Sequence, residues 1–252
     1  EYIEIPSGGL DIGGYGFDVS SIRKNVSGQS IFTSPVGGSG NFVSSNIAYY
    51  PGTGLVFNVT DSDGSHAIEL NDVNFQGVTG SSIGSLNGYR QFTGTTCGLY
   101  NLSDGLTLEG NWSGFKLPNS NIIGFGSTGT LFKKGTSLVF SNRFYVDLNL
   151  QIATDSKIAD FDSANFINDK SLHVVNCYAK VNGVIDDTTT SVTFPNITPY
   201  DTKSYFVNNI GIKNSNITPY GISTVNMLSY ADDSAAGAGG VVQIGETYIE
   251  TA

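Results

Sequence analysis

The sequence predicts an all-β protein that folds as a right-handed parallel β-helix, a solenoid of short strands, followed by a distinct C-terminal β region. Three observations predict this fold class. Short apolar segments alternate with polar residues along the chain, a slot held by asparagine or glycine recurs at nearly constant spacing, and the composition is rich in turn-forming residues. Alternation with a period of two is typical of strands, and a repeat with a period of roughly 33 residues is typical of solenoids.

The composition favours strands and turns over helices. Glycine contributes 32 of 252 residues and charged residues only 13%, whereas helix-rich proteins use Glu, Lys, Arg and Ala at their solvent faces. Apolar residues make up 39% of the chain, which is too many for a disordered protein. No apolar run approaches the ~18 residues that a membrane helix needs, so no membrane insertion is expected.

The expected strands are short alternating segments bounded by Gly, Asn, Asp and Ser. Most are too short to be stable alone, so they must pack against copies of themselves in neighbouring coils. In chain order, examples lie at 55–59, 67–70, 106–108, 138–140, 172–174 and 192–194.

The repeat is a slot with the pattern apolar, any residue, Asn, any residue, apolar. Its members are Asn142, Asn176 and Asn208, with Gly110 in the same pattern, and successive members are almost equally spaced. Asn and Gly most readily adopt a positive φ, so the slot predicts a left-handed bend between two strands. We expect the four residues to stack on one corner of the solenoid as a structural turn ladder. The alternative is that Asn recurs here by chance in a turn-rich chain.

The C-terminal region follows a different, shorter repeat. The segment 196–200, Asn-Ile-Thr-Pro-Tyr, recurs at 216–220. We therefore predict a β-helix domain over 1–186 and a C-terminal β region over 187–252, with a boundary in the polar stretch near 186–190. Residues 231–240 are predicted to form a loop, and 241–249 return to alternation. Because the chain starts at Glu1 without Met and ends abruptly at Ala252, a longer parent chain is expected.

No residue pattern predicts a catalytic, cofactor-binding or metal-binding site. Asp61-Ser-Asp63-Gly64 has the spacing of the start of a calcium loop but lacks its downstream ligands, so an Asx-rich turn is favoured. The two histidines, His66 and His173, are far apart in the sequence and belong to no acyl-transfer motif. Glycoside cleavage would need two carboxylates ~5–9.5 Å apart. The eligible but unranked carboxylates are Asp72, Asp104, Glu109, Asp147, Asp160 and Asp162.

Charge, cysteines and aromatic residues limit the possible partners. A net charge of −10 with unclustered cations makes nucleic acid an unfavourable partner. Cys97 and Cys177 are expected to be buried free thiols rather than a disulfide. Exposed aromatic residues could stack on sugar rings, although core aromatics look the same in sequence. The candidates are Tyr49, Tyr50, Tyr89, Tyr100, Trp112 and Tyr145.

Two segments resemble known virion proteins. Residues 86–91 through 101–115, which include Leu-Asn-Gly-Tyr-Arg-Gln and Asn-Trp-Ser-Gly-Phe, resemble the β-helical repeats of phage tail-fibre and tailspike-like proteins, especially of phages that infect Bacteroidetes. Residues 229–241 through 245–248 are similar to a terminal segment of many phage virion proteins. Together they cover about a quarter of the chain. The resemblance implies a homotrimeric fibre or spike located on the virion, with other virion proteins as partners, and it transfers no catalytic residue.

The leading functional hypothesis is a non-enzymatic structural or receptor-binding fibre that contacts a host surface glycan. One alternative is a tailspike-like polysaccharide depolymerase, either a glycoside hydrolase or a lyase. Another is a bacterial surface adhesin, which would share nearly all of the same physics. Release of reducing ends from host polysaccharide would distinguish the depolymerase, and the location of the parent gene would distinguish the adhesin.

Overall fold

The computed structural model describes residues 2–24, 26–125, 129–152, 157–169, 171–181, 192–193, 204–207, 212–213, 241–244 and 247–250. Apart from one short 3-10 helix, Ser163–Asn165, the regular structure in these residues is β-strand. The strands are β1 (Ile3–Glu4), β2 (Leu10–Gly13), β3 (Ser21–Arg23), β4 (Ser30–Thr33), β5 (Phe42–Tyr50), β6 (Leu55–Thr60), β7 (Ala67–Gln76), β8 (Ser82–Asn87), β9 (Gln91–Thr95), β10 (Gly98–Tyr100), β11 (Asp104–Glu109), β12 (Asn111–Phe125), β13 (Thr130–Lys134), β14 (Val139–Ile152), β15 (Lys157–Ala159), β16 (Leu172–Val175), β17 (Tyr178–Val181), β18 (Val192–Thr193), β19 (Ser204–Val207), β20 (Ile212–Lys213), β21 (Val241–Ile244) and β22 (Thr247–Glu250).

The strands form a parallel β-solenoid of about 6 turns, which confirms the predicted all-β solenoid. A nine-stranded sheet runs in the order β1-β4-β6-β8-β11-β13-β15-β18-β20. An eleven-stranded sheet runs β19-β16-β14-β12-β10-β7-β5-β2, with β17 beside β14, β3 beside β5, and β9 between β7 and β12. Because the chain alternates between the two sheets, every coil lies on the preceding one with both sheets in parallel register. The right hand of the solenoid stays a prediction.

One corner of the eleven-stranded sheet is built by left-handed residues that stack from coil to coil. Six residues, one in each of six successive coils, lie between pairs of residues that are in register from coil to coil, so the six are aligned with one another. Five of these six residues have φ between 49° and 55°. This corner turns the chain between the first and second halves of β5, β7, β12 and β14, and between β9 and β10. We call it the corner column; it consists of Asn46, Asp72, Thr96, Asn119, Asp147 and Asn176.

The register corrects the predicted turn ladder. Asn176 belongs to the corner column. Gly110 is left-handed as expected, with φ 88°, but it lies at the end of β11, against Gly88 of the preceding coil. Asn142 lies inside β14, past the residue that aligns with Gly110, and does not have a positive φ. Asn208 lies outside the described residues. The three described members therefore occupy three different places around the coil.

The prediction failed because the coils differ in length. Phe92 pairs with Phe115, and Phe115 pairs with Phe144 of the next coil. The chain between the first two phenylalanines is shorter than the chain between the second and third. Each corner holds a loop or bulge of its own size, so equal spacing in sequence does not give equal position in the coil. The nearly equal spacing of Gly110, Asn142 and Asn176 in the sequence therefore did not correspond to equivalent positions in successive coils.

The core is a continuous stack of apolar side chains between the sheets. Phe92, Phe115 and Phe144 form one aromatic column, with ring centroids 4.5 and 4.9 Å apart and interplanar angles of 7° and 14°. Such spacing follows from the ~4.8 Å separation of strands, because equivalent residues in neighbouring coils are held one strand apart. Phe132 meets two of these rings edge-on from the nine-stranded sheet, which ties the two sheets together.

Cys97 and Cys177 are buried free thiols, as predicted. The register places them in one column, with Ser120 and Leu148 of the two intervening coils between them. Three strand spacings amount to ~14 Å, whereas a disulfide requires Cα atoms within ~7 Å. Burial raises the pKa of each thiol to about 12, so both are packing residues rather than nucleophiles.

Three of the strands described beyond residue 186, β18, β19 and β20, extend the two solenoid sheets. β18 pairs with β15 and β20, and β19 pairs with β16, all in parallel. Val192 pairs with Ile212, and this pair has the same separation in sequence as the two Asn-Ile-Thr-Pro-Tyr segments, which themselves lie outside the described residues. β21 and β22 form an antiparallel hairpin. The division at 186/187 stays a prediction. Within the described residues, no helix has the length and apolar character needed to cross a membrane.

Candidate functional site

Three neighbouring strands of the eleven-stranded sheet share one short pattern: an inward-pointing phenylalanine with an outward-pointing residue on each side of it. The Phe residues of the aromatic column in β9, β12 and β14 point inward, so the residues on either side of each must point outward. Register places these outward residues in two parallel rows. One row is Gln91, Gly114 and Arg143, and the other is Thr93, Lys116 and Tyr145.

A groove of about 290 Å³ lies across these three coils. Its volume is close to the lower end of the ~300–1,000 Å³ typical of small-molecule sites. We call it the Gly114 groove; it is lined by Gln91, Phe92, Thr93, Ser113, Gly114, Lys116, Asn142 and Arg143.

The missing side chain of Gly114 opens this groove. Gly114 lies in register between Gln91 of the coil on one side and Arg143 of the coil on the other. A Cβ placed on Gly114 would meet only the Arg143 carbonyl oxygen, at 3.9 Å, within ordinary contact distance. The glycine does not have a positive φ. A larger residue at this position would therefore fill the groove without straining the backbone.

The groove is polar and locally cationic. Gln91 and Asn142 offer amides, Thr93 and Ser113 offer hydroxyls, and the lining includes Lys116 and Arg143 but no carboxylate. Ser113 already donates its hydroxyl to the Arg90 carbonyl oxygen, 3.1 Å away. Among the described ion pairs, none involves Lys116 or Arg143. Both cations are exposed and face solvent from adjacent strands.

An aromatic pair stands at the edge of the groove. Tyr145 is the register partner of Lys116 on one side and of His173 on the other. The Tyr145 and His173 rings are tilted by 41° with centroids 6.4 Å apart. Tyr145 is partly exposed, and burial, with the nearby Asp147 charge adding to it, raises the pKa of its phenol. Tyr145 and His173 therefore add a partly apolar surface beside Thr93 and Lys116.

The structure separates the six aromatic candidates into two groups. Tyr49, Tyr89 and Trp112 are fully buried core residues and are excluded from sugar stacking. Their polar atoms are satisfied inside the protein: the Tyr49 hydroxyl lies 2.6 Å from Ser44 Oγ, and Trp112 Nε1 donates to the Glu109 carbonyl oxygen at 2.9 Å. The partly exposed members are Tyr50, Tyr100 and Tyr145, of which Tyr145 is next to the groove.

The carboxylate candidates do not line the groove. Asp104 is paired with Lys133, and Asp162 with Lys134 at 2.7 Å. The Lys134 hydrogen bond holds the pKa of Asp162 below its usual value, which opposes a role as a general acid. Burial raises the pKa of Asp147, partly offset by a hydrogen bond from Asn176.

The remaining three carboxylates are dispersed. Asp160 accepts the backbone N–H of Lys134 at 2.7 Å, Asp72 lies in the corner column, and Glu109 ends β11. The described residues thus bring none of the six into the groove as a catalytic pair.

Asp61 forms the predicted turn. Its carboxylate accepts the backbone N–H groups of Asp63, Ser65 and His66 at 2.9 to 3.0 Å, and lies 3.0 Å from His66 Nδ1. Burial opposes ionisation of Asp61, but these hydrogen bonds outweigh it and lower its pKa. Asp61, Asp63 and His66 have ligand atoms within 4.8 Å of one another, yet the Asp61 oxygens are already used by the turn. The cluster is explained by the local fold.

The sequence did not predict the groove. Of its residues only Asn142 was a candidate site residue, and for another role, although Gln91, Ser113 and Gly114 lie in the segment that resembles phage fibres. The available signal was three copies of an outward residue, Phe and an outward residue at 91–93, 114–116 and 143–145. Recognising that these copies align requires the lengths of two unequal coils, which only the register provides.

Comparison with known proteins gives no family assignment: no protein-family model matches the chain, and no curated protein or solved structure matches it significantly.

Proposed function

We propose that this chain is a non-enzymatic structural and receptor-binding component of a phage tail fibre or spike, and that it contacts a host surface glycan through the Gly114 groove. The observation that carries the proposal is the groove itself, which brings amide, hydroxyl and cationic side chains of three coils around an open strip of backbone. These groups hydrogen-bond sugar hydroxyls, and Tyr145 at the edge provides a face for a sugar ring.

The scaffold favours recognition by a preformed surface. The groove residues lie on strands whose inward neighbours are stacked phenylalanines, so the backbone under the groove is fixed by the core. A preformed site loses little conformational entropy on binding. Repetition of the sheet along the solenoid axis also suits a polymer, which can cover several coils at once.

The groove chemistry does not support hydrolysis of a bound glycan. Hydrolysis of a glycosidic bond requires a carboxyl acid and a second carboxylate on either side of that bond. The lining of the groove contains none, and two candidate carboxylates, Asp104 and Asp162, are neutralised by lysines on the nine-stranded side.

The virion assignment rests on two supports. The parallel solenoid agrees with the architecture that the resemblance to phage fibres and spikes implies, and the resemblance itself covers two segments of the chain. Under this proposal the protein is located on the phage particle, assembles as a homotrimer and attaches to other virion proteins. Detection of the chain in purified phage particles by mass spectrometry supports it; detection on a bacterial surface without phage particles would favour an adhesin instead.

Glycan binding is tested with the full chain on an array of bacterial surface oligosaccharides and polysaccharides. We expect binding that Gly114→Trp abolishes, because the indole fills the groove. Gly37→Trp is the matched control, since Gly37 also has open space around its Cβ position and no positive φ but lies in an exposed turn elsewhere. Retained binding by Gly114→Trp would exclude the groove, and release of reducing ends from a bound polysaccharide would replace this proposal with a depolymerase.

A further inference from the structure

The charge of the Gly114 groove is opposite in sign to that of the protein. The chain has 22 acidic and 12 basic residues, yet the groove has two cations and no carboxylate. Within the described residues neither Lys116 nor Arg143 forms an ion pair, so both are available to an anionic group of a ligand. Resting on the proposed function, we infer that the glycan bound in this groove carries an anionic substituent, such as the carboxylate of a sugar acid, held between Arg143 and Lys116.

The two cations are placed to share one anionic group. Arg143 is the register partner of Gly114, and Lys116 lies on the same strand as Gly114 and on the same face. One strand spacing combined with one full pleat along the strand separates their Cα atoms by ~8 Å. Both side chains are long enough to converge over the open strip at Gly114, where no side chain stands between them.

The chemistry of the two side chains fits a carboxylate better than a neutral hydroxyl. A guanidinium presents two parallel N–H donors that match the two oxygens of a carboxylate, and the lysine ammonium adds a point charge. Gln91, Thr93 and Asn142 then supply neutral hydrogen bonds to the rest of the sugar. A sulfate ester on a sugar presents the same charge and similar oxygens, so the test must separate the two sources.

The test compares paired oligosaccharides that differ only in charge. An oligogalacturonate is measured against the same oligosaccharide with its carboxyl groups reduced to hydroxymethyl groups, and a sulfated oligogalactan against its unsulfated form. Calorimetry or surface plasmon resonance of the full chain provides the affinities. We expect the acidic member of a pair to bind ~10-fold or more tightly than the neutral one, as for hydrogen bonds to charged groups, and added salt to reduce the difference.

Variants assign the effect to the groove. Arg143→Ala and Lys116→Ala are expected to remove most of the preference for the acidic form, and Arg143→Lys to keep the charge but lose the bidentate contact. Lys157→Ala, which removes an exposed cation from the nine-stranded sheet, should change nothing. Gly114→Trp should abolish binding of both forms.

Each contrary outcome identifies what has failed. Equal binding of acidic and neutral forms, both lost in Gly114→Trp, overturns the anionic inference and leaves the glycan-binding proposal intact. A preference for the acidic form that survives Arg143→Ala and Lys116→Ala also overturns it, because the anionic group is then bound by other residues. Absence of binding to every glycan on the bacterial array and in the pairs overturns the proposed function itself. A short single-stranded DNA that binds as tightly as the acidic oligosaccharide shows a nonspecific polyanion effect and overturns the inference.

Discussion

At the scale of single residues, the corner column shows which side chains the solenoid needs for a left-handed bend. Among the described residues, six that are not glycine have a positive φ, and five of them lie in this column. Three of the five are asparagines, which tolerate the left-handed region because their short side chain can hydrogen-bond locally. Thr96, with φ 55°, is the exception, because a β-branched side chain crowds the backbone there.

Replacing Thr96 should therefore stabilise the protein. Thr96→Asn keeps a polar, exposed side chain and removes the β-branch at φ 55°, so we expect the free energy of unfolding to rise by about 1 kcal/mol. Urea denaturation followed by fluorescence measures the change. Thr95→Asn is the control, because Thr95 is also exposed but lies in the extended strand β9 and should show no gain. A loss of stability in Thr96→Asn would mean that the Thr96 hydroxyl or methyl makes a contact worth more than the strain.

The kind of residue at such corners could be predicted from sequence, but the identity of each corner could not. An asparagine between two apolar residues indicated a left-handed bend, and Asn176 is one. The same pattern at Asn142 occurs inside β14 without a positive φ, because a local pattern does not contain the register. Thr96 was not recognised for the opposite reason: it shares the left-handed conformation of Asp72 and Asn119 in the neighbouring coils, although a β-branched residue disfavours it.

At the scale of elements, the aromatic column joins three strands of one sheet to the core. Phe115 lies in the middle of the column, with Phe92 and Phe144 stacked on its two faces and Phe132 against its edge at 5.1 Å. Its side chain is fully buried. The same strand positions Gly114 and Lys116 on the outer face, so the packing of Phe115 determines the position of the groove.

Truncation of this ring should be costly. For Phe115→Ala we expect a loss of ~3–5 kcal/mol in the free energy of unfolding, because the substitution leaves a cavity between two stacked rings that the parallel strands hold apart. Phe115→Leu, which retains much of the volume, should lose less than half of that. Equilibrium urea denaturation gives both values. Val78→Ala, at a side chain that is 48% exposed, serves as a surface control and should change the free energy of unfolding by less than ~0.5 kcal/mol. A loss of similar size for Phe115→Ala would show that the coil closes over the cavity.

The strands themselves were predictable, whereas the groove was not. The alternation at 55–59, 67–70, 106–108 and 172–174 falls within β6, β7, β11 and β16, because burial of one face imposes a period of two on the sequence. A groove arises from residues of different coils, such as Gln91, Gly114 and Arg143. Their separations in sequence are unequal, because they depend on corner loops that carry no apolar pattern.

At the scale of the whole molecule, the first described coil carries apolar side chains that the core does not fully bury. In the described residues, β1 pairs only with β4, while β2 and β3 pair only with β5. Ile3, Leu10, Ile12 and Ile22 are only partly buried against the core. The loop after β2 adds exposed apolar side chains to the same coil, with Tyr15, Val19 and Phe17 exposed by 96%, 78% and 43%.

We expect these side chains to be buried in the proposed homotrimer. An exposed apolar cluster of this kind marks an interaction site, and contact between three chains around a common axis would bury it. Light scattering coupled to size exclusion should give three times the 26.6 kDa chain mass at micromolar concentration. The double variant Tyr15→Ser/Val19→Ser should shift that mass toward the monomer, because it removes the most exposed apolar groups of the loop.

Ile167→Ser, at a residue 59% exposed on a distant coil, should leave the mass unchanged. A monomeric wild-type chain at that concentration would contradict the trimer, and a trimer unaffected by the double variant would place its interface on another coil.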